Sequence, residues 1–122
     1  MKLMSWSVEF HPRFAQEVAE LPDLVREALL EMALLLADAG PQLRRPHCDT
    51  LEGSRHSNMK ELRFNASDGV WRVAFAFDPV RRAILLTAGD KSGVSQGRFY
   101  KQLLARADDR FDEHLTALRG SK

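Results

Sequence analysis

Residues 60–77 constrain the fold more than any other part of the chain, because two strand-like segments flank a turn-like stretch at residues 65–69 and predict a β-hairpin. Side chains alternate between the two faces of a strand. In the second segment one face therefore carries bulky apolar residues and the other carries small residues beside Arg72; the bulky set is Trp71, Val73, Phe75 and Phe77, and the small set is Ala74 and Ala76. In the first segment Arg63 and Glu61 share a face. We expect both arginines to converge on the small-residue face, free of helices, and to bind a phosphate backbone, with RNA as the first candidate.

The remaining segments predict an α+β domain. Apolar and polar residues alternate at residues 6–10, as in a strand, and two amphipathic helical patterns follow at residues 12–21 and 23–39. A polar loop is expected at residues 41–58, an apolar strand at 83–88, and a final helix from about residue 95 to 118. The predicted order is β-α-α-β-β-β-α: a mainly antiparallel sheet with an N-terminal α-hairpin and a C-terminal helix against its bulky face.

Composition places the chain among ordinary globular proteins. Its 122 residues are 44% hydrophobic and 29% charged, which predicts one domain over residues 1–122. The single cysteine, Cys48, excludes an intrachain disulfide and is typical of a reducing compartment. No signal-like segment or membrane-spanning apolar stretch is recognisable, so we expect a cytoplasmic protein without membrane contact.

The small net charge of +1 conceals an asymmetry along the chain. Residues 1–39 contain three basic and seven acidic side chains, a charge of −4, so residues 40–122 must carry +5. A basic portion joined to an acidic one indicates a localised field for a polyanion, although scatter in a near-neutral chain produces the same totals.

Several segments together resemble the RelE/ParE superfamily of toxin–antitoxin toxins, and within it the HigB-like branch. They are Leu51-Glu52-Gly53, Lys60-Glu61-Leu62-Arg63, Trp71-Arg72-Val73-Ala74-Phe75, and the apolar strand leading into Gly89-Asp90-Lys91. The resemblance runs from about Trp6 to Leu115, and the order and spacing of the segments carry it.

This resemblance implies the toxin of a type II toxin–antitoxin system: a ribosome-dependent mRNA endonuclease (mRNA interferase) that inhibits translation. It implies an enzyme that needs no metal or other cofactor and acts on mRNA in the ribosomal A site. A cognate antitoxin, often a helix-turn-helix repressor in this branch, would hold it inactive, and DNA would be reached only through that antitoxin.

The resemblance transfers catalytic roles to part of the chain only. Arg72 matches the strand arginine that contacts the scissile phosphate in RelE-like members, and Lys91 lies in the loop where those members place another cation. Lys60 lies on a strand where basic residues are common, whereas Glu61 occupies a position that is often lysine in RelE. Tyr100 receives no role from the resemblance.

The residue types also suit metal-free RNA cleavage, in which a 2′-hydroxyl attacks the neighbouring phosphate. Arg63 and Arg72 can bind the phosphate through their guanidinium forks, or they can simply pair with Glu61. Lys91 can add charge or transfer a proton, or it can be an exposed lysine beside Asp90. The identities of the base and the acid remain open.

Further candidates are assigned by residue type. His56 is the histidine closest in sequence to the hairpin, and an imidazole suits proton transfer, although a loop histidine is more often simply exposed. Lys60 completes the catalytic candidates, while Arg44, Arg45 and Arg55 are predicted to contact RNA backbone without sequence specificity. No metal site is expected, because His47 and Cys48 are adjacent and no second cysteine exists.

Two other functions fit the same fold. One is a ParE-like inhibitor of DNA gyrase that acts by binding, and the other is a catalytically degenerate member that only binds an antitoxin.

Overall fold

A computed structural model describes residues 6–120 as nine elements in the order β-α-α-3₁₀-β-β-β-β-α. They are β1 (Ser7–Phe10), α1 (Pro12–Ala19), α2 (Asp23–Ala39), a 3₁₀ turn (Gly40–Gln42), β2 (Cys48–Thr50), β3 (Lys60–Ala66), β4 (Gly69–Phe77), β5 (Arg82–Asp90) and α3 (Gln96–Arg119). The predicted α+β class with an N-terminal α-hairpin and a C-terminal helix is confirmed.

Local chemistry accounts for the helix ends. The imidazole Nδ1 of His11 accepts a hydrogen bond from the backbone N–H of Arg13 at 3.1 Å, and a proline occupies the first position of α1. Gly40 ends α2 with a φ of +61°, and a side chain there would collide with the ring of Trp6. The hydroxyl of Ser95 accepts from the N–H of Arg98 at 3.4 Å and caps α3.

The five strands form one sheet in the order β1-β5-β4-β3-β2. β1 runs parallel to β5, and the other neighbouring pairs are antiparallel. Ser67 and Asp68 join β3 to β4 with φ values of 50° and 64°, the left-handed geometry that matches the twist of a tight hairpin. The predicted hairpin is therefore present, and β2 and β1 are the two edges of the sheet.

Both faces of the sheet are covered by helices, and each face has its own core. On one face α1 and α2 pack over Leu62, Val73, Phe75, Ala83 and Leu85; on the other, α3 packs over Ala74, Ala76, Ile84 and Leu86. The side-chain alternation predicted for β4 is thus correct.

The prediction that no helix covers the small-residue face of the sheet is wrong. Ala74 and Ala76 have no exposed surface because Phe99, Leu103 and Ala107 of α3 lie against that side of the sheet. Small side chains on a strand let a helix approach closely, so they mark a packing surface here rather than an open one.

The segment at residues 41–58 is also more ordered than predicted. It includes β2, whose three residues pair antiparallel with β3 in the register Cys48↔Leu62 and Thr50↔Lys60. A three-residue strand is too short to show an alternation of apolar and polar residues, so the sequence of this segment predicts a loop.

Candidate functional site

The β3–β4 register brings the two predicted arginines together. Arg63 and Arg72 are directly opposite each other across the hairpin, and Glu61 lies two residues before Arg63 on the same side of β3. The Glu61 carboxylate accepts a hydrogen bond from Arg63 Nε at 3.1 Å, and its other oxygen lies 3.8 Å from Arg72 Nε. The predicted convergence of the arginines is therefore observed, with a carboxylate between them.

α3 adds a residue to this group. The hydroxyl of Tyr100 donates a hydrogen bond to Glu61 Oε1 at 2.9 Å and lies 3.3 Å from Arg72 Nε, which donates to it. Nothing in the sequence pattern assigned a role to Tyr100 or a central place to Glu61. Their meeting depends on which face of the sheet α3 covers, and no local motif reports that.

Lys91 borders the same group from the end of β5. Its Nζ lies 5.9 Å from the centre of the Tyr100 ring, and its backbone N–H donates to the carbonyl of Val70 at 2.8 Å. Burial lowers the pKa of Lys91 below its usual value, and the neighbouring charges of Arg72 and Arg63 lower it further. We call Glu61, Arg63, Arg72, Lys91 and Tyr100 the Glu61 cluster.

The members of the Glu61 cluster differ in their access to solvent. The side chain of Glu61 is 4% exposed and that of Arg72 is 11% exposed, whereas that of Arg63 is 30% exposed. Arg72 is further fixed by a hydrogen bond from Nη1 to the carbonyl of Trp71 at 3.0 Å. Arg63 is thus the guanidinium that a ligand meets first, with Arg72 held behind it.

A cleft of about 250 Å³ opens beside the cluster. Its walls come from the end of β2 and the following loop, from β3, and from the start of α3; they are Asp49, Thr50, Leu51, Glu52, Glu61, Arg63, Gln96 and Tyr100. This volume equals that of roughly eight liquid waters, so it is large enough for a phosphate group.

Tyr100 keeps its proton in this environment. Burial raises the pKa of the phenol, and the hydrogen bond to Glu61 raises it further because that bond is made by the protonated form. The Tyr100 hydroxyl is therefore a hydrogen-bond donor at neutral pH and holds the carboxylate in place.

Lys60 lies on the other face of β3 from Glu61. With Arg44, Arg45 and Asp49 it borders a second pocket of about 320 Å³, which is also lined by Leu43, Cys48 and Thr50. We call this the edge pocket because β2 forms the edge of the sheet there. Arg44 and Arg45, predicted to contact RNA, are brought together with Lys60 but not with the Glu61 cluster.

His56 and Arg55 lie near the middle of α3, away from both pockets. His56 Nε2 is 2.8 Å from an oxygen of Asp112, and the ring packs edge-on against Phe111. Arg55 forms ion pairs with Asp108, Asp109 and Asp112. Both side chains attach the loop before β3 to α3, and their predicted roles in cleavage and RNA binding stay predictions.

Residues 6–120 contain neither a cluster of metal-binding side chains nor a membrane-spanning helix. No three His, Cys, Asp or Glu side chains in this part of the chain are grouped to hold a metal ion. None of the helices there combines the length and apolar character needed to cross a bilayer.

The fold is similar to two solved toxin structures. An Escherichia coli RelE mutant in the free state superimposes with a TM-score of 0.59 at 14% identity, covering 84% of this chain and 96% of RelE. The RelBE2 toxin–antitoxin complex from Mycobacterium tuberculosis gives a TM-score of 0.54 at 16% identity, over 73% of this chain and 94% of the matched one. The chain therefore has the RelE fold.

The sequence comparisons define the family more narrowly. Residues 16–112 match the family model described as Phage derived protein Gp49-like, so the chain belongs to the Gp49-like family. Two Mycobacterium tuberculosis proteins that are named as toxins are each 44% identical to it: HigB2 over 89 residues and HigB3 over 86. The match covers 72% of this chain but only 44% of HigB2, and 70% of this chain with 73% of HigB3. The predicted resemblance to HigB-like members of the RelE superfamily is confirmed.

Proposed function

We propose that this protein is the toxin of a type II toxin–antitoxin system and that it cleaves mRNA on the ribosome. One observation carries the proposal: Arg63 and Arg72 flank Glu61, Lys91 lies 5.9 Å from the Tyr100 ring, and an open cleft borders Glu61, Arg63 and Tyr100. The RelE fold and the toxin names of HigB2 and HigB3 support it.

The arginines would bind the scissile phosphate. A guanidinium can donate two parallel hydrogen bonds to phosphate oxygens, and it stays charged at all physiological pH values. Arg63 is exposed enough to contact an incoming phosphate, while Arg72 is fixed by Trp71 and Tyr100 and needs little reorganisation. Such preorganised donors stabilise the negative charge that grows on the phosphoryl oxygens in the transition state.

Glu61 and Lys91 would move the protons. The 2′-oxygen attacks phosphorus and passes its proton to the Glu61 carboxylate; the P–O5′ bond breaks, and the departing O5′ takes a proton from the Lys91 ammonium. The products are a 2′,3′-cyclic phosphate and a 5′-hydroxyl, and the step needs no metal or other cofactor. Tyr100 is a positioning residue, because its hydroxyl orients the carboxylate.

The ribosome would orient the substrate. A flexible RNA strand must place its 2′-oxygen in line with the P–O5′ bond, and external orientation of reactants accounts for large rate factors. The free protein is then nearly inert on naked RNA. We place the protein in the cytoplasm, where translating ribosomes are found.

Purified protein tests this proposal directly. Added to ribosomes carrying a defined mRNA, it should cut the message, whereas the same message without ribosomes should stay intact. Arg72→Ala should lower the cleavage rate by roughly a hundredfold or more, since one electrostatic contact to the transition state is lost. Arg72→Lys keeps the charge but lacks the guanidinium fork, so its cleavage rate should lie between those of the unchanged protein and Arg72→Ala.

Arg119→Ala is the matched control, because Arg119 is an exposed arginine at the far end of α3. It should cleave like the unchanged protein, and circular dichroism should show that all variants fold. Undiminished cleavage by a folded Arg72→Ala would contradict the proposal. So would inhibition of gyrase supercoiling without any RNA cleavage.

An antitoxin would hold the protein inactive, and we propose the helix-turn-helix type. One of the similar structures is a toxin–antitoxin complex. The outer side of α2 offers apolar surface for such a partner, since Leu24, Leu30 and Leu34 are 62%, 46% and 72% exposed. A Leu30→Lys/Leu34→Lys double variant should remain toxic but escape neutralisation by the cognate antitoxin in co-expression. Unchanged neutralisation would assign the antitoxin to another surface.

A further inference from the structure

The edge pocket is lined by cationic side chains, two of which form no ion pair within the described residues. No side-chain hydrogen bond or ion pair within residues 6–120 engages Arg44 or Lys60, although both line the same 320 Å³ space. Arg45 differs, because its Nε and Nη2 donate to one oxygen of Asp49 at 3.0 and 2.7 Å. Two unpaired cations in one concave site leave a positive field that a polyanion can neutralise.

The edge pocket adjoins the cleft of the Glu61 cluster. Asp49 and Thr50 line both spaces, and they belong to β2, the three-residue strand at the edge of the sheet. In the β2–β3 pairing Thr50 lies opposite Lys60 and Asp49 lies opposite Glu61. Lys60, which lines the edge pocket, is therefore next to Glu61 on β3. Because neighbouring side chains on a strand point to opposite faces, the two spaces lie on the two sides of this edge.

We propose that the edge pocket is a second phosphate-binding subsite for the RNA strand whose scissile phosphate lies at the Glu61 cluster. This inference rests on the proposed function. The strand crosses the edge at Asp49 and Thr50, and a flanking phosphate binds Arg44 and Lys60. Single-stranded RNA suits this path, since its backbone can bend around a short edge that a duplex cannot follow.

Asp49 is the acidic residue that lines both spaces, and Arg45 counters its charge. The Asp49 carboxylate would repel a phosphate crossing the edge, but the hydrogen bonds from Arg45 hold a positive charge against it. Arg55 offers a contrast, because Asp108, Asp109 and Asp112 surround it and leave no excess of positive charge. Among the three arginines assigned to RNA contacts, Arg44 and Arg45 therefore belong to the subsite and Arg55 does not.

Equilibrium binding of oligonucleotides that cannot be cleaved isolates the subsite. Full-length protein is titrated against a 2′-O-methyl trinucleotide, which fills only the cleft, and a 2′-O-methyl nonanucleotide, which also reaches the edge pocket. Arg44→Ala and Lys60→Ala should each weaken nonanucleotide binding several-fold and reduce its salt slope by about 0.7, the value for one lost phosphate contact on a single strand. Trinucleotide binding should not change.

Two further variants sharpen the test. Asp49→Asn removes the repelling charge and should tighten nonanucleotide binding, whereas Arg119→Ala removes an exposed arginine elsewhere and should change nothing. Loss of affinity for both oligonucleotides alike, or for neither, in Arg44→Ala and Lys60→Ala would overturn the subsite, and so would an unchanged protein that binds neither oligonucleotide.

The outcome is separable from that of the nuclease proposal. Length-dependent losses without any cleavage on ribosomes would retain the subsite and reject the nuclease. If cleavage depended on Arg72 while Arg44→Ala and Lys60→Ala left oligonucleotide binding unchanged, the nuclease would be retained and the subsite rejected.

Discussion

Glu61 organises the candidate site at the scale of single residues. Its carboxylate is almost fully buried, and it contacts Arg63, Arg72 and Tyr100, which come from three different elements. A buried carboxylate is tolerated only when donors surround it, so Glu61 fixes the positions of its neighbours as firmly as they fix its own. Under the proposed function, a phosphate entering the cleft would meet Arg63 and Arg72 already in place.

Lys91 makes the pH dependence of cleavage testable. Because burial and the charges of Arg72 and Arg63 lower its pKa below 10.5, Lys91 loses its proton at a lower pH than an ordinary lysine does. In the proposed mechanism the protonated form of Lys91 is the active one, so the single-turnover cleavage rate should fall as pH rises through this lowered pKa. Lys91→Arg stays charged and should lack that alkaline decline, with a lower maximal rate. The same decline in both proteins would exclude Lys91 as its cause.

Tyr100→Phe tests the positioning role. The variant keeps the ring but removes the donor to Glu61, leaving a buried carboxylate with one hydrogen bond fewer, which costs about 1–3 kcal/mol of unfolding free energy. Cleavage should slow as well, because the carboxylate is less firmly oriented. Urea denaturation and ribosome cleavage measure the two effects. Ser57→Ala removes a hydroxyl from an exposed loop and should change neither the stability nor the cleavage rate. If Tyr100→Phe also changed neither, Tyr100 would not position Glu61.

At the scale of elements, the decisive packing contact is α3 against β4 and β5. Phe99, Leu103 and Ala107 lie over Ala74 and Ala76, and Gly89 allows the close approach of Phe99, whose ring carbon would lie 2.9 Å from any added Cβ. This contact places Tyr100 beside Glu61. The geometry of the candidate site thus depends on small residues that themselves carry no chemistry.

Ala76→Leu should therefore disturb both stability and site. The added carbons have no space beneath α3, and such overpacking costs about 1–3 kcal/mol. The measurement is the urea midpoint together with the cleavage rate. Ala105→Leu makes the same change on the exposed side of α3 and should be close to neutral. If Ala76→Leu proved as stable as Ala105→Leu, the close packing of α3 would be wrong.

The sequence predicted those elements whose patterns are local. The alternation in β4 and the periodicity of the helices gave their positions, and strand parity placed Arg63 and Arg72 together. Two other features depend on tertiary packing. The small residues of β4 suit an open face and a helix-covered face equally well, and β2 gains its strand geometry only by pairing with β3. For the same reason the meeting of Glu61 with Tyr100 had no signal in the sequence.

At the scale of the whole molecule, side-chain hydrogen bonds tie the second half of α3 to the rest of the fold. His114 Nε2 lies 2.7 Å from the buried carboxylate of Asp78, His11 Nε2 lies 3.1 Å from Glu113, and Arg110 pairs with Glu17 at 2.6 Å. These pairs reach α1, the residue preceding it, and the turn between β4 and β5. Helices on opposite faces of the sheet are thereby linked around its β1 edge.

Cys48 provides a probe of the core on the face of the sheet that α1 and α2 cover. It is 2% exposed, and burial raises the pKa of its thiol to about 11, so almost no reactive thiolate forms at neutral pH. A thiol reagent should label the native protein far more slowly than the urea-unfolded protein, in which the same single cysteine is accessible. Equal labelling rates in the two states would contradict the burial of Cys48 in the core beneath α1 and α2.

The pairing of β1 with β5 has a consequence for synthesis of the protein. Ser7 pairs with Arg82, so β1 must wait for a strand that is translated much later, and Tyr100 reaches Glu61 later still. Contacts between such distant segments form slowly compared with local ones. Under the proposed function, a nascent chain has no assembled site for the scissile phosphate until residues from both ends of the described range have been translated, so it cannot yet cut the message that encodes it.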